Sequence, residues 1–243
     1  MRVIFLNSWF GEVGEAFFDF VKKESPKTDI FCFMEFSPDL FTKVSKMLSD
    51  HNGFLERGTF LRAWKTVDCQ VIFARKNLKI LSSGRLALYK NTFEDTGFAS
   101  YITFEKDGEK INVLNVHGKA LPGGKMDTPV RLKQSEKIID FFTDKDGSKI
   151  IGGDFNLYPN TKSVKMFEEA GYKNLIRDFN IKNTRNRLSW EQAEKHLNGS
   201  GEYFGKQYFA DYCFVSPEVK VKNFEVPNIE VSDHLPLILD FEA

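Results

Sequence analysis

Short apolar runs recur along this chain, and each stops on, or starts from, a polar residue of the kind that does chemistry. Met1-Arg2-Val3-Ile4-Phe5-Leu6 leads into Asn7, Asp29-Ile30-Phe31-Cys32-Phe33-Met34 into Glu35, and Ile111-Asn112-Val113-Leu114-Asn115-Val116 into His117. Lys149-Ile150-Ile151 leads into Gly153-Asp154-Phe155-Asn156-Leu157, Asp211 opens Tyr212-Cys213-Phe214-Val215-Ser216, and Val231-Ser232-Asp233-His234-Leu235-Pro236 precedes a final apolar run. Runs this short and this apolar read as buried strands. Side chains alternate faces along a strand, so Asp154 and Asn156, two apart, point the same way. Asp154 can then accept a proton from a water that Asn156 helps to hold. Gly, Asp and Asn are also ordinary turn residues, so the segment by itself fits a turn as well as a site.

The spacing predicts strands over 2–7, 29–35, 70–75, 78–88, 98–106, 110–117, 148–153, 208–215, 219–226 and 235–241. Lys106-Asp107-Gly108-Glu109 joins two of them with a hairpin signal. Helices fall between strands. Val13, Phe17, Phe20 and Val21 form one apolar stripe, and Leu40, Val44 and Leu48 another behind the start signal Ser37-Pro38. Thr128-Pro129 opens a helix to about residue 143, Asn160 or Thr161 one to about 170, and Ser189 with Gln192 reads as a capping box for one to about 197. Helices mixed with parallel-compatible and hairpin strands indicate an α/β layered fold in a single domain over 1–243. That pattern also allows an open three-layer sheet.

The 243 residues suffice for a large core, to which 25 Phe contribute aromatic bulk. The 34 basic and 34 acidic side chains cancel, which argues against a chain that coats long nucleic acid, though a local basic patch would suffice for binding it. Cys32, Cys69 and Cys213 lie in apolar segments without metal-site spacing. They read as buried thiols in a reducing, cytoplasmic setting. No segment has the ~20 apolar residues of a membrane span.

Taken in order, these motifs resemble the endonuclease/exonuclease/phosphatase superfamily, which includes deoxyribonuclease I, abasic-site endonucleases, sphingomyelinases, deadenylases and inositol-polyphosphate phosphatases. The resemblance runs from Asn7 to Pro236. It implies a deoxyribonuclease I-like four-layer sandwich, two packed mixed β-sheets flanked by helices, with the site at one end. It implies a metal-dependent phosphoesterase, foremost a phosphodiesterase or nuclease, with Mg²⁺ or Mn²⁺ held by Glu35 together with Asn7 and Asp233. Asp154 resembles the residue that orients and deprotonates the attacking water, with Asn156 its partner on water and phosphoryl oxygen. His234 resembles the phosphate-contacting imidazole and Asp211 the acid that holds it. A histidine at the place of His117 matches the deoxyribonuclease, sphingomyelinase and deadenylase branches, whereas the abasic-endonuclease branch has a tyrosine nearby. Asp68 is the candidate acid behind His117.

Beyond those motifs, Gly118 to Thr128 is a Gly-rich loop carrying Lys119 and Lys125 that opens a capped helix. Loop amides and a helix start attract anions, so both lysines are candidates for phosphate binding, as is Arg185 in the basic run Lys182-Asn183-Thr184-Arg185-Asn186-Arg187. Arg131, Gln134, His51 and His196 read as surface residues. The expected partner is a phosphate-ester substrate, with nucleic acid among the candidates; no obligate protein partner is indicated. Two other readings stay open: a phosphomonoesterase of a small metabolite, and a binding protein that kept the fold without turnover.

Overall fold

A computed structural model describes residues 1–62, 64–90, 97–196 and 205–242. In chain order the elements are β1 (Arg2–Asn7), α1 (Glu15–Glu24), β2 (Ile30–Phe36), α2 (Pro38–Met47), β3 (His51–Leu61), β4 (Thr66–Arg75), β5 (Lys79–Ala87), β6 (Phe98–Lys106) and β7 (Glu109–His117). There follow α3 (Pro129–Thr143), β8 (Ser148–Asp154), α4 (Lys162–Glu169), β9 (Lys173–Asn174), α5 (Leu175–Asp178), α6 (Arg187–His196), β10 (Asp211–Val215), β11 (Lys220–Glu225) and β12 (Leu237–Glu242).

The strands form two six-stranded sheets, ordered β11-β12-β1-β2-β4-β3 and β5-β6-β7-β8-β10-β9. Each is built around one parallel pair, β1 with β2 and β7 with β8, flanked by antiparallel neighbours. The period of two sorts β1 between two cores. Val3 and Phe5 pack with residues of the second sheet such as Val113 and Ile151, while Ile4 and Leu6 pack with Phe17 and Val21 of α1 and Leu40 and Val44 of α2. On the far face of the second sheet, Ile138 and Phe142 of α3 and Val164 and Phe167 of α4 complete the layering. Strands covered on both faces have no polar side to show, which is why they read as continuous apolar runs. Burying one such Phe stabilises the fold by roughly 1.5–3 kcal/mol. Gly152 sits where the sheets meet most closely, since a Cβ there would lie 2.6 Å from the Phe5 ring.

The helix starts follow from capping. The side chains of Ser37, Thr128 and Thr161 accept from the backbone N–H groups of Leu40, Arg131 and Val164, satisfying donors that have no partner within the helix. Asp107 and Gly108 both take positive φ, 53° and 87°, in the turn where Lys106 pairs with Glu109. Four expectations need correction. The strand His51–Leu61 went unseen, because an edge strand with Gly53, Gly58 and exposed polar residues lacks clean alternation. His51 is buried, its Nε2 3.0 Å from the Thr28 carbonyl. Ser189 does not cap α6, which begins earlier, at Arg187; there Asn186 Oδ1 accepts from Leu188 N–H. Arg131 and Gln134 are fully buried. His196 has no described side chain, and the Gly-rich stretch after it lies mostly outside the described residues.

Candidate active site

The parallel pairs end side by side, and their carboxyl ends carry Asn7, Glu35, His117 and Asp154. His117 and Asp154 are register partners across β7 and β8, and Asp154 and Asp211 across β8 and β10. Glu35 lies where the β2–β4 register shifts and has φ 48°. A bulge of this kind re-aims one side chain out of the strand's alternation. Asn156 also has positive φ, 54°, a conformation Asn tolerates. Gly153 has φ 125°, and a Cβ there would lie 2.3 Å from the Val116 carbonyl oxygen, so only glycine lets the chain turn into Asp154.

Asp154 is the hub. Its Oδ2 accepts from Asn7 Nδ2 at 3.2 Å and its Oδ1 from Asn156 N–H at 2.8 Å. His234 Nε2 is 3.7 Å from the same Oδ2. On the other side of the ring, Nδ1 lies 3.0 and 2.9 Å from the two oxygens of Asp211. Thr184 Oγ1 accepts from the backbone N–H groups of Ala210 and Asp211, seating the start of β10. Burial opposes charge on His234, but Asp211, then Asp233 and Asp154, outweigh it and raise the imidazole to about 9. Burial raises Asp211 too, against the pull of His234. With both carboxylate oxygens at Nδ1, the pair at neutral pH is a carboxylate on an imidazolium. Burial also acts to raise Asp154, but His234, Lys125, His117 and Arg185 together hold it down to about 2.

His117 stands opposite. Its Nε2 is 3.6 Å from Glu35 Oε1 and its Nδ1 3.8 Å from Asp68 Oδ2. Burial lowers this imidazole, and Asp68, Glu35 and Asp154 more than reverse it. Two positions back on their strands, Gln70 and Asn115 tie the sheets together: Gln70 Nε2 donates to the Phe98 carbonyl and Asn115 Nδ2 to the Phe33 carbonyl. The Asp68–His117 pair is the outermost rung of that inter-sheet ladder.

Asn7 Nδ2 also donates to Glu35 Oε1 at 3.0 Å, while its Oδ1 accepts from Trp9 N–H. Asn7 thus shows the carboxylates its amide nitrogen and would offer a metal an oxygen only with the amide turned over. Asp233 Oδ2 is 3.3 Å from Arg185 Nη2 and 3.9 Å from His234 Nε2. Burial raises Glu35, His117 opposes this, and Asp233 adds to it. Carboxylate oxygens crowded in this way suit a hard divalent cation. Asp154, Asp211 and His234 also bring three ligand atoms within 4.8 Å of one another. His234, committed to Asp211 and protonated, is a poor ligand, which leaves Glu35 as the better anchor.

Of the candidate phosphate-binding residues, Lys125 is buried with Nζ on Asn156 Oδ1, and burial followed by Arg185 lowers it to about 8. Arg185 reaches Asp233 and, at 3.5 Å, Gln207. Lys119 lies apart, its Nζ over the Tyr89 ring. The buried Arg131 was missed. Its guanidinium donates to the carbonyls of Lys119, Ala120, Pro122 and Met126, fastening the loop that carries Lys125. Its position two residues after a Thr-Pro start, beside a Gly-rich loop, is the signal that could have found it.

The sequence matches the Endonuclease/Exonuclease/phosphatase family over residues 6–234. The chain belongs to this family. Its members are hydrolases of phosphate esters and are generally dependent on divalent metals. Solved structures agree in fold. A family protein from Bacteroides vulgatus has a TM-score of 0.76 at 18% identity, covering 99% of this chain and 98% of that one. A mannosyl-6-phosphatase from Bacteroides thetaiotaomicron has 0.71 at 17%, covering 100% of both chains. The human Nocturnin catalytic domain with bound sulfate has 0.72 at 19%, covering 100% of this chain and 93% of that one. No curated protein matches the sequence. Among the described residues, no helix is long and apolar enough to cross a membrane.

Proposed function

We propose that this chain is a metal-dependent phosphodiesterase that hydrolyses its substrate by direct attack of water. The observation that carries the reading is the convergence on Asp154 of Asn7, Asn156 and the charged His234. Glu35, with Asp233 and a turned Asn7, would hold Mg²⁺ or Mn²⁺, which when bound neutralises phosphoryl charge and acidifies nearby water. Asp154, ionised at neutral pH, aligns the water and takes its proton. Asn156 holds the water or the phosphoryl oxygen. His234, fixed by Asp211, donates from Nε2 to a phosphoryl oxygen as charge builds there. His117 protonates the leaving oxygen as the phosphorus–oxygen bond breaks.

A phosphomonoesterase acting on a small metabolite is the second reading. Lys125 and Arg185 favour it, because two further cations, one buried and one half-buried, suit the extra charge of a monoester dianion. Cys32, Cys69 and Cys213 are buried free thiols, in keeping with a cytoplasmic setting. The test is a screen of purified protein with Mg²⁺ or Mn²⁺ against single- and double-stranded DNA, RNA, nucleotides, sugar and inositol phosphates. Cleavage of a diester supports the first reading and cleavage of monoesters alone the second. No turnover on any substrate sinks both.

A further inference from the structure

The proposed reaction leaves unused an aromatic contact at the mouth of the site. β2, which carries Glu35, lies between β1 and β4 in its sheet. The chain leaving β1 and the β3–β4 hairpin both run past that end, and there the rings of Phe10 and Trp64 meet, centroids 5.0 Å apart and planes tilted by 35°. Because β2 lies between the strands that carry them, the contact spans its end.

Two observations make this more than packing. Trp9 and Phe10 both take positive φ, 46° and 52°, which bulky side chains rarely do. Such strain persists where the surroundings impose it, ligand clamps among them. Ser8, directly before them, is fastened to β2, its Oγ shared between the carbonyls of Met34 and Glu35 at 3.0 and 2.7 Å. The aromatic loop is therefore fastened to the Glu35 backbone. Second, the hairpin exposes rings and positive charge together. Phe60 is 55% and Trp64 37% exposed, and Arg57, Arg62 and Lys65 are exposed around them. In a chain with no net charge this is a local basic stretch interleaved with aromatics, the pattern that holds single strands.

We propose that Phe10 and Trp64 form a stacking platform for a base of a single-stranded oligonucleotide whose phosphate enters the hydrolytic site. Arg57, Arg62 and Lys65 supply charge to the flanking phosphates. The inference rests on the phosphoesterase reading and narrows its substrate class, since a base brings a planar π-face that a sugar or inositol ring lacks. Thr66, the first residue of β4, stands about 7 Å beyond Asp68 at ~3.3 Å per residue, and the turn that carries Trp64 lies beyond it, within the reach of an oligonucleotide.

The test compares an oligothymidylate with a deoxyribose-phosphate chain of equal length lacking bases, both with saturating Mg²⁺. The quantity read is the ratio of kcat/KM on the first to that on the second. In Phe10→Ala and Trp64→Ala this ratio should fall about ten-fold, the loss typical of removing one stacked ring, and Trp64→Phe should restore most of it. An unchanged ratio in both alanine variants overturns the platform while leaving the esterase standing. If the wild type cleaves neither substrate, the diesterase reading fails for DNA, the wider substrate screen judges the esterase reading, and tryptophan fluorescence with a phosphorothioate oligothymidylate judges the platform alone. Quenching present in the wild type and lost in Trp64→Phe supports it; equal quenching in both overturns it.

Discussion

Asp154 and Asp211 lie opposite each other in the antiparallel β8–β10 register, and the His234 ring bridges them, Nε2 3.7 Å from the first and Nδ1 2.9 Å from the second. One acid therefore faces the substrate side of the imidazole and the other fixes its back. Pairing with a buried carboxylate fixes one proton on Nδ1, and the raised basicity of the ring keeps a second proton on Nε2 at neutral pH.

Asp211→Asn should lower kcat more than it raises KM, because the imidazolium matters most as charge develops. The same variant tests linkage in the metal-free protein. His234 is raised from 6.5 to about 9, so its charge contributes stability that is fully present below 6.5 and lost as pH rises through about 9. Urea midpoints of the wild type should fall across that window, and those of Asp211→Asn should fall less. Parallel pH profiles would contradict the pairing.

Glu35→Gln should abolish divalent-cation binding measured by calorimetry while leaving the melting temperature of the metal-free protein near that of the wild type. Burial and Asp233 already raise the Glu35 carboxyl, so a neutral group there removes repulsion as well as a ligand. Undiminished Mg²⁺ and Mn²⁺ binding would move the metal elsewhere.

Arg131→Ala should be among the costliest substitutions outside the catalytic set. It strips the donors from the carbonyls of Lys119, Ala120, Pro122 and Met126 in a fully buried place. A buried group left unsatisfied costs about 1–3 kcal/mol. A total of roughly 3 kcal/mol corresponds to a melting temperature lower by about 6–12 °C in a domain of this size. Thermal denaturation checks it, and a shift below about 2 °C would mean that the loop does not depend on the guanidinium.

The central strands and the hub residues were legible because a strand covered on both faces has a plain signal, and a polar residue ending it stands out. Glu35, His117 and Asp154 were visible for that reason. β3 was not, since its pairing is to one neighbour only and its side chains alternate poorly. Arg131 and His51 were misread as surface residues because a charged or titratable side chain carries no mark of burial in sequence. Their partners are backbone carbonyls, of Thr28 for His51 and of the 119–126 loop for Arg131, and any residue can supply those. The Phe10–Trp64 contact was hidden for a third reason: its halves are joined only by strand order.

The most direct measurement is the rate of phosphate-ester cleavage by wild type and Asp154→Asn in the same Mg²⁺ buffer, on the best substrate of the screen. Asparagine is nearly isosteric but cannot take the proton of the attacking water. We expect both proteins to fold cooperatively, wild-type cleavage that stops on chelation, and a variant slower by roughly 10²–10⁴-fold. A variant within a few-fold of the wild type, or cleavage indifferent to chelation, would contradict the assignment of the site.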